Sequence, residues 1–327
     1  MPDLPRYRAR EMWRGGVTAI VLAHDSGAHL EACLEALFAQ THPPLETLLV
    51  DNASRDGACE RAARRFPVQA IRLERNLGYA AGNDLAIARA RGEAVLLLNP
   101  DCRLAPDYLA LTLETLASAP DVAGVQGKLL KGPGGPIDST GIVLTRARRN
   151  FDRGEGEPDR GQWDAPGEVF GVSGAAAVLR RSALQDVALE GEPLDASYFM
   201  YREDVDLCWR ARLLGWRFLY QPRAMAWHAR GFGRADRRRA PRALRHASLR
   251  NRWATIVKND DLGSLLRALP RMLAFEAAQA AWVLLREPSL LLAYGDALAR
   301  LPATARKRRA LQARRRVPAA ELERWLT

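Results

Sequence analysis

At 327 residues, 48% hydrophobic and 27% charged, the chain has the balance of an ordinary globular protein, with room for one large core or two small ones. Its four cysteines, Cys33, Cys59, Cys102 and Cys208, make no C-x-x-C pair and no metal-type spacing; this excludes a disulfide scaffold and predicts a reduced, cytoplasmic protein. The net charge of +11 is uneven: residues 230–327 hold 22 Lys/Arg against 8 Asp/Glu, so a body of net charge −3 carries a basic tail that calls for an anionic partner.

The opening segment, "MPDLPRYRAREMWRGG", has no apolar centre, so no signal peptide is expected. "VTAIVLA" (17–23) reads as a buried strand, followed by a helix in which Leu30, Cys33, Leu34, Leu37 and Phe38 recur at helical spacing. The pattern repeats with a strand at 45–51, a helix behind Asp56 and a strand at 68–73. A helix over 79–92, closed by Gly92, then leads into a fourth strand at 93–99. Alternating apolar strands and helices predict an α/β fold with a mostly parallel sheet covered on both faces. Gly and Pro are dense from Lys131 to Gly171, which predicts long functional loops. Regular structure resumes with "VFGVSGAAAVLRRSAL", a helix at "EDVDLCWRARLLG", and two strands, "WRFLYQP" and "AMAWH".

In an open parallel sheet, ligands bind beyond the carboxyl ends of the strands. Three polar clusters fall there: His24-Asp25-Ser26, Asp51-Asn52-Ala53-Ser54 and Asn99-Pro100-Asp101. No G-x-G-x-x-G follows the first strand and no G-x-x-x-x-G-K-[ST] occurs, which disfavours a dinucleotide fold and excludes a P-loop. Carboxylates can hold a diphosphate only through a divalent cation.

The blocks "VTAIVLAHDSGAHLEACLEALFAQTHPPLETLLVDNASRDG", "RNLGYAAGND", "VLLLNPD", "VSGAAAVLRRSAL" and "YFMYREDVDLCWRARLLGWRFLYQPRAMAWH" resemble, in order and spacing, the family 2 glycosyltransferases of GT-A fold over about residues 16–260. They are most similar to the bacterial rhamnosyltransferase-like branch. The resemblance implies an inverting transferase that takes a sugar from a dTDP- or UDP-linked donor and uses Mg²⁺ or Mn²⁺. Its acceptor would be a glycan or lipid-linked saccharide in cell-envelope polysaccharide assembly. It also implies an N-terminal extension (1–15), a catalytic domain (16–235) with a nucleotide-binding half (16–101) and an acceptor half (102–235), and a basic helical extension (236–327).

By the same resemblance, Asp51 contacts the base or ribose, although an Asx-turn explains a carboxylate there equally well. Asp101 matches the last carboxylate of the family's D-x-D motif, with Asn99 in place of the first, and His228 matches the histidine that completes the metal site. Asn76, Gly78 and Asn83 fall beside the nucleotide and diphosphate, with Asn83 bracing the rim. Gly174 leaves space in a wall shared by donor and acceptor. His24 and Asp25 stand where relatives carry an aromatic residue and an Asn. Asp204, or else Glu203, supplies the general base, though carboxylates also suit the positive end of a helix without any catalytic part. Asp206 is expected to be structural, and Arg230 or Arg234 is a candidate to reach the diphosphate.

The tail alternates apolar clusters with charges and has no uninterrupted run of the ~20 apolar residues that a spanning helix needs. Two amphipathic helices separated near Pro288, then "RKRRALQARRR", suit either contact with an anionic membrane at the inner face of the cytoplasmic membrane or packing on the core. Competing functions are a non-catalytic homologue acting as a scaffold and a sugar-1-phosphate nucleotidyltransferase, whose glycine-rich N-terminal loop is missing. No nucleic-acid partner is expected, since the Arg runs lack interleaved aromatics.

Overall fold

The computed structural model describes residues 13, 15–231 and 240–327. Arg234 lies outside them. In the first half, β1 (Val17–Ala23), β2 (Glu46–Asp51), β3 (Gln69–Arg72) and β4 (Ala94–Leu98) alternate with α1 (Ala28–Phe38), α2 (Ala58–Arg65) and α3 (Gly78–Ile87). All four strands pair in parallel, in the order β4-β1-β2-β3. Residues on β1 alternate between two cores: Val17, Ala19, Val21 and Ala23 face one side with α1 and α2, while Ile20 faces the other with α3. Both faces of the sheet are therefore covered, as the continuous apolar runs predict. Helix α3 stops at Ile87, short of Gly92.

Beyond Asp101 the sheet turns mixed. The elements are β5 (Cys102–Leu104), α4 (Tyr108–Ala117), β6 (Val122–Leu130), β7 (Ile137–Ser139), β8 (Ile142–Leu144), β9 (Asn150–Asp152), β10 (Gly167–Val169), β11 (Ala176–Arg180), α5 (Arg181–Val187), α6 (Glu203–Leu213) and β12 (Arg217–His228). Strand β11 inserts antiparallel between β4 and β6, and β12 runs parallel to β6. Two corrections to the sequence reading follow. "WRFLYQP" and "AMAWH" form one strand whose register shifts between Gln221 and Met225, because Pro222 interrupts the ladder without ending it. The Gly/Pro-dense stretch contains four short strands, two of which form their own hairpin, β8-β9.

The C-terminal helices are α7 (Arg242–Asn259), α8 (Leu262–Arg286), α9 (Leu292–Ala299), α10 (Leu301–Ala313) and α11 (Ala319–Glu323), with a 3₁₀ turn at Pro288–Leu291. They join the body through buried charge. Lys258 pairs with Asp195 and, at 3.0 Å, with Asp206; Lys307 reaches Asp195 at 2.8 Å; Arg148 reaches Asp260 at 2.7 Å. Removing one partner of such a buried pair typically costs about 3–5 kcal/mol. Asp206 also accepts from Arg210 at 2.9 Å and Asn259 at 2.8 Å, as its structural expectation requires. Among the described residues no helix is long and apolar enough to cross a membrane.

Candidate active site

The carboxyl ends of β1, β2 and β4 carry the three polar clusters. Asp25 adopts φ +48° and its Oδ1 accepts the Arg55 N–H at 2.7 Å, while His24 Nδ1 lies 2.9 Å from the Asn52 carbonyl oxygen. Asp51 is buried; Oδ1 accepts the Ser54 N–H at 2.8 Å and Oδ2 lies 3.3 Å from Arg72 Nε. The hub of this corner is Asn52, which the sequence marked only as a member of the second strand-end cluster. Its Nδ2 donates to Asn76 Oδ1 at 2.9 Å and its Oδ1 accepts from Leu77 N at 2.8 Å, tying β2 to the loop before α3. Asn76 Oδ1 also takes the Gly78 N–H at 2.8 Å, and Asn83 Nδ2 donates one turn back to the Tyr79 carbonyl at 2.9 Å.

The end of β4 meets the end of β12. Asp101 Oδ1 lies 3.3 Å from His228 Nε2, and Asn99 Nδ2 lies 3.4 Å from the same ring nitrogen. His228 Nδ1 donates to Asp138 Oδ2 at 2.8 Å. Burial opposes a charge on the ring, but the two carboxylates outweigh it and raise the imidazole to about 9, so a divalent cation would have to displace the Nε2 proton on binding. Among the described residues no three His, Cys, Asp or Glu side chains form a ready cage for a metal. A pair of protein donors, with the remaining positions left to phosphate oxygens and water, is the usual way Mg²⁺ is held beside a nucleotide. A carboxylate behind the second ring nitrogen is the usual support for a metal-binding histidine. Asp101 and His228, backed by Asp138, thus fit a divalent cation shared with a diphosphate.

From Asp138 the polar chain continues. Arg230 donates to Asp138 Oδ1 at 3.1 Å and to Asp152 Oδ2 at 2.8 Å, and its Nη1 lies 3.8 Å from Glu155. All three acids come from the Gly/Pro-dense stretch. Loop density marked that region, but nothing in the spacing told which of its acids turn inward.

The candidate base sits on a strained turn. Phe199, Tyr201 and Arg202 all have positive φ (64°, 69° and 71°) immediately before α6, a conformation that costs non-glycine residues about 1–3 kcal/mol each. Two neighbours hold it. The N–H groups of Tyr79 and Ala80, at the start of α3, donate to the Phe199 carbonyl at 2.6 and 3.3 Å. Asn251, on α7, donates to the carbonyls of Tyr198, Met200 and Tyr201 at 2.9, 3.0 and 2.9 Å. Gly78 is required here, since its φ is +82° and a Cβ would stand 2.4 Å from the Phe199 carbonyl oxygen. Gly174 makes comparable room, for a Cβ there would come 2.7 Å from the Tyr79 hydroxyl.

Glu203 and Asp204 open α6 and differ in surroundings. Burial first, then the adjacent Asp204, holds the Glu203 carboxyl well above the usual range, and its buried Oε2 has no hydrogen-bond partner among the described residues. Asp204 is also raised, by burial and by the charge of Asp152. Two backbone N–H groups, Val205 at 2.8 Å and Gly174 at 3.3 Å, favour its ionised form, as does Arg230. Both side chains line a cavity of about 590 Å³, together with Asp152, Ser173 and Arg230. Asp51, Asn99, Asp101 and His228 are not among its lining residues. The structure thus brings Asp101, Asn99 and His228 together, sets Asp204, Glu203 and Gly174 together, and joins the two groups through Asp138, Arg230 and Asp152. His24, Asp25, Asp51, Asn76, Gly78 and Asn83 form a third group around Asn52.

The chain is similar to several known proteins. The sequence model described as "Glycosyltransferase like family 2" matches residues 14–255. A Mycobacterium tuberculosis N-acetylglucosaminyl-diphospho-decaprenol L-rhamnosyltransferase is 30% identical over 233 residues, covering 64% of this chain and 74% of that protein. Among solved structures, GalNAc-T7 with UDP, GalNAc and Mn²⁺ aligns with a TM-score of 0.57 at 14% identity, over 74% of this chain and 48% of that one. The mannosyltransferase PcManGT from Pyrobaculum calidifontis, in complex with GDP-Man and Mn²⁺, aligns at 0.50 and 21% identity, over 94% and 78%. These likenesses make the fold GT-A. The protein is a glycosyltransferase and belongs to family 2.

Proposed function

We propose that this chain is an inverting, divalent-cation-dependent glycosyltransferase that moves a sugar, with rhamnose the leading candidate, from a dTDP- or UDP-linked donor to a glycan or lipid-linked saccharide of the cell envelope. The observation that carries this reading is the polar chain from Asp101 and His228 through Asp138, Arg230 and Asp152 to the cavity of Asp204. It provides a place for the diphosphate and a place for an attacking hydroxyl at the two ends of one wall along which acidic and basic side chains alternate.

Of the two adjacent carboxyls, Asp204 suits the base. Backbone N–H groups stabilise its anion, whereas burial and the neighbouring Asp204 disfavour the charged form of Glu203. Asp204 takes the proton of the acceptor hydroxyl as that oxygen bonds to the anomeric carbon. The bond from that carbon to the diphosphate oxygen breaks on the opposite face, and the nucleotide diphosphate leaves. Asp101 and His228 would hold Mg²⁺ or Mn²⁺, which when bound offsets charge on the departing diphosphate. Arg230, fixed by Asp138 and Asp152, keeps the two ends in register.

The C-terminal helices also suit an anionic membrane surface. Leu262, Leu266, Leu269 and Leu273 form an exposed stripe along α8, with Arg267 and Arg271 beside it.

The deciding experiment is calorimetric titration with UDP, dTDP and GDP, each with and without Mn²⁺. Mn²⁺-dependent binding of one of them supports the reading and names the base of the donor. A folded protein that binds none refutes it and favours a non-catalytic scaffold.

A further inference from the structure

Tyr79, the second residue of α3, reaches the candidate base from two sides. Its main-chain N–H donates to the Phe199 carbonyl at 2.6 Å, on the strained turn that leads into Glu203 and Asp204, and its hydroxyl donates to the Gly174 carbonyl at 2.7 Å. Gly174 in turn sends its own N–H to Asp204 Oδ2 at 3.3 Å. The segment 173–175 that carries this N–H is held at its ends: the Ser173 N–H donates to Gln126 Oε1 at 2.6 Å, and the Ala175 carbonyl accepts the Asn99 N–H at 2.9 Å. Its middle residue has no side chain with which to fix its backbone, and the Tyr79 hydroxyl supplies the hold on its carbonyl. Burial, then the charges of Glu203 and Asp204, push that hydroxyl well above its usual range, so it stays a proton donor at working pH. On its other side Tyr79 follows Gly78, whose N–H is taken by Asn76 Oδ1 at 2.8 Å and whose carbonyl accepts from Asn52 Nδ2 at 3.3 Å. One residue thus joins the strand-end corner around Asn52 to the carboxylate on α6.

We infer that Tyr79 is a positioning residue for the transfer reaction: its hydroxyl fixes the Gly174 carbonyl, which keeps the Gly174 N–H on Asp204 and the carboxylate aimed into the cavity. The inference rests on the transferase reading and adds to it the side chain that links the nucleotide corner to the base. Other groups also face Asp204: Glu203 and Cys208 on α6, Asp152 from β9, Arg230 beyond β12, and the Val205 N–H at 2.8 Å. Removing the Tyr79 hydroxyl alters none of these, so its effect is read against an unchanged set of charges. Loss of an N–H from a carboxylate disfavours the charged form, which sets the direction of the test.

The test compares the full-length wild type with Tyr79→Phe, which removes one oxygen atom. Release of nucleotide diphosphate to water from dTDP-rhamnose and UDP-rhamnose, with Mn²⁺, gives the rate. Water here stands in for the acceptor: its oxygen bonds to the anomeric carbon, its proton goes to Asp204 and the nucleotide diphosphate leaves. A ¹³C NMR titration of protein labelled at the aspartate carboxyls, with the Asp204 signal assigned by its loss in Asp204→Asn, follows the base without any substrate. In Tyr79→Phe the Asp204 midpoint is expected to rise by about 0.5–1 pH unit. The rate at neutral pH should fall about tenfold, with Mn²⁺-dependent nucleotide affinity within threefold. Gly174→Ala sets a Cβ 2.7 Å from the same hydroxyl. It should slow release in the wild-type background and cost less in the Tyr79→Phe background, where the atom it strikes is gone. An unchanged midpoint in Tyr79→Phe, whether or not the rate or the melting temperature falls, overturns the inference and leaves the transferase reading in place. Independent effects of the two substitutions overturn it equally. Absence of release from both donors by the wild type removes the transferase reading itself, whatever the titration shows.

Discussion

Asn251, midway along α7, donates its side-chain amide to the main-chain carbonyl of Tyr201 at 2.9 Å, two residues before the Glu203-Asp204 pair. A helix far along the chain from the strand-end clusters thereby holds the turn that aims the candidate base. Asn251→Ala is expected to lower kcat about 10–100-fold by loosening that aim, to cost about 1–3 kcal/mol of stability through unmet buried carbonyls, and to leave nucleotide affinity within threefold. Single-turnover transfer assays with parallel melting curves check this; a lowered melting temperature with unchanged kcat refutes the positioning role.

Asp204 must be ionised to accept a proton, and burial together with Asp152 raises its carboxyl above the usual range. Transfer should therefore fall as pH drops through a midpoint higher than that of an ordinary aspartate, and recover above it. Asp204→Asn should remove about 10²–10⁴-fold of the rate and abolish this limb of the pH profile. Donor affinity should be retained. Equal collapse of donor binding in the variant contradicts the assignment.

Asp138 touches no diphosphate in the proposed scheme but fixes His228 Nδ1 at 2.8 Å. Asp138→Asn is expected to weaken Mn²⁺-dependent nucleotide binding about 10–100-fold, the usual effect of losing a carboxylate behind a metal-binding histidine. Asp101→Ala should abolish the Mn²⁺ dependence altogether. Titrations at several Mn²⁺ concentrations separate the two effects, and a metal dependence unchanged in Asp101→Ala refutes that carboxylate's part.

Asp84, on α3, lies apart from these groups and is raised to about 7, chiefly by burial and against the Leu194 N–H that it accepts at 2.8 Å. The folded state binds this proton more tightly than the unfolded chain does, so the stabilisation is complete at acid pH and lost as pH rises toward and through 7. Between pH 5 and 8 the wild type should lose on the order of 2 kcal/mol relative to Asp84→Asn. Urea denaturation of both proteins at the two pH values measures the difference, and parallel pH dependence of the two rules it out.

The first half of the fold was written locally. Strand β1 occupies Val17–Ala23, the apolar run that stands out in the sequence, and β4 falls within one residue of its expected ends, because buried parallel strands need continuous apolar residues and tight polar turns. The strand-end clusters were legible for the same reason. So was the start of α6 at Glu203, where acidic residues gather at a helix N-terminus. Pairing of β11 between β4 and β6 was not legible, since an antiparallel insertion depends on partners far along the chain.

By itself, then, the sequence determined an α/β sheet with polar strand ends, a carboxylate pair opening α6 and a basic tail. Only the tertiary structure decided what those parts meet. It turned Asp138 and Asp152 inward from a glycine-rich stretch with no periodicity, and it set Asn251 under the strained turn. It also gave much of the tail's positive charge partners within the protein: Arg306 pairs with Glu190, Lys307 with Asp195, Arg315 with Asp261 and Arg316 with Asp186. The physical reason is common to all three. Apolar periodicity is fixed by neighbours within a helix or strand, whereas a buried polar or charged group takes whichever hydrogen-bond or ion-pair partner the folded chain brings within a few ångströms.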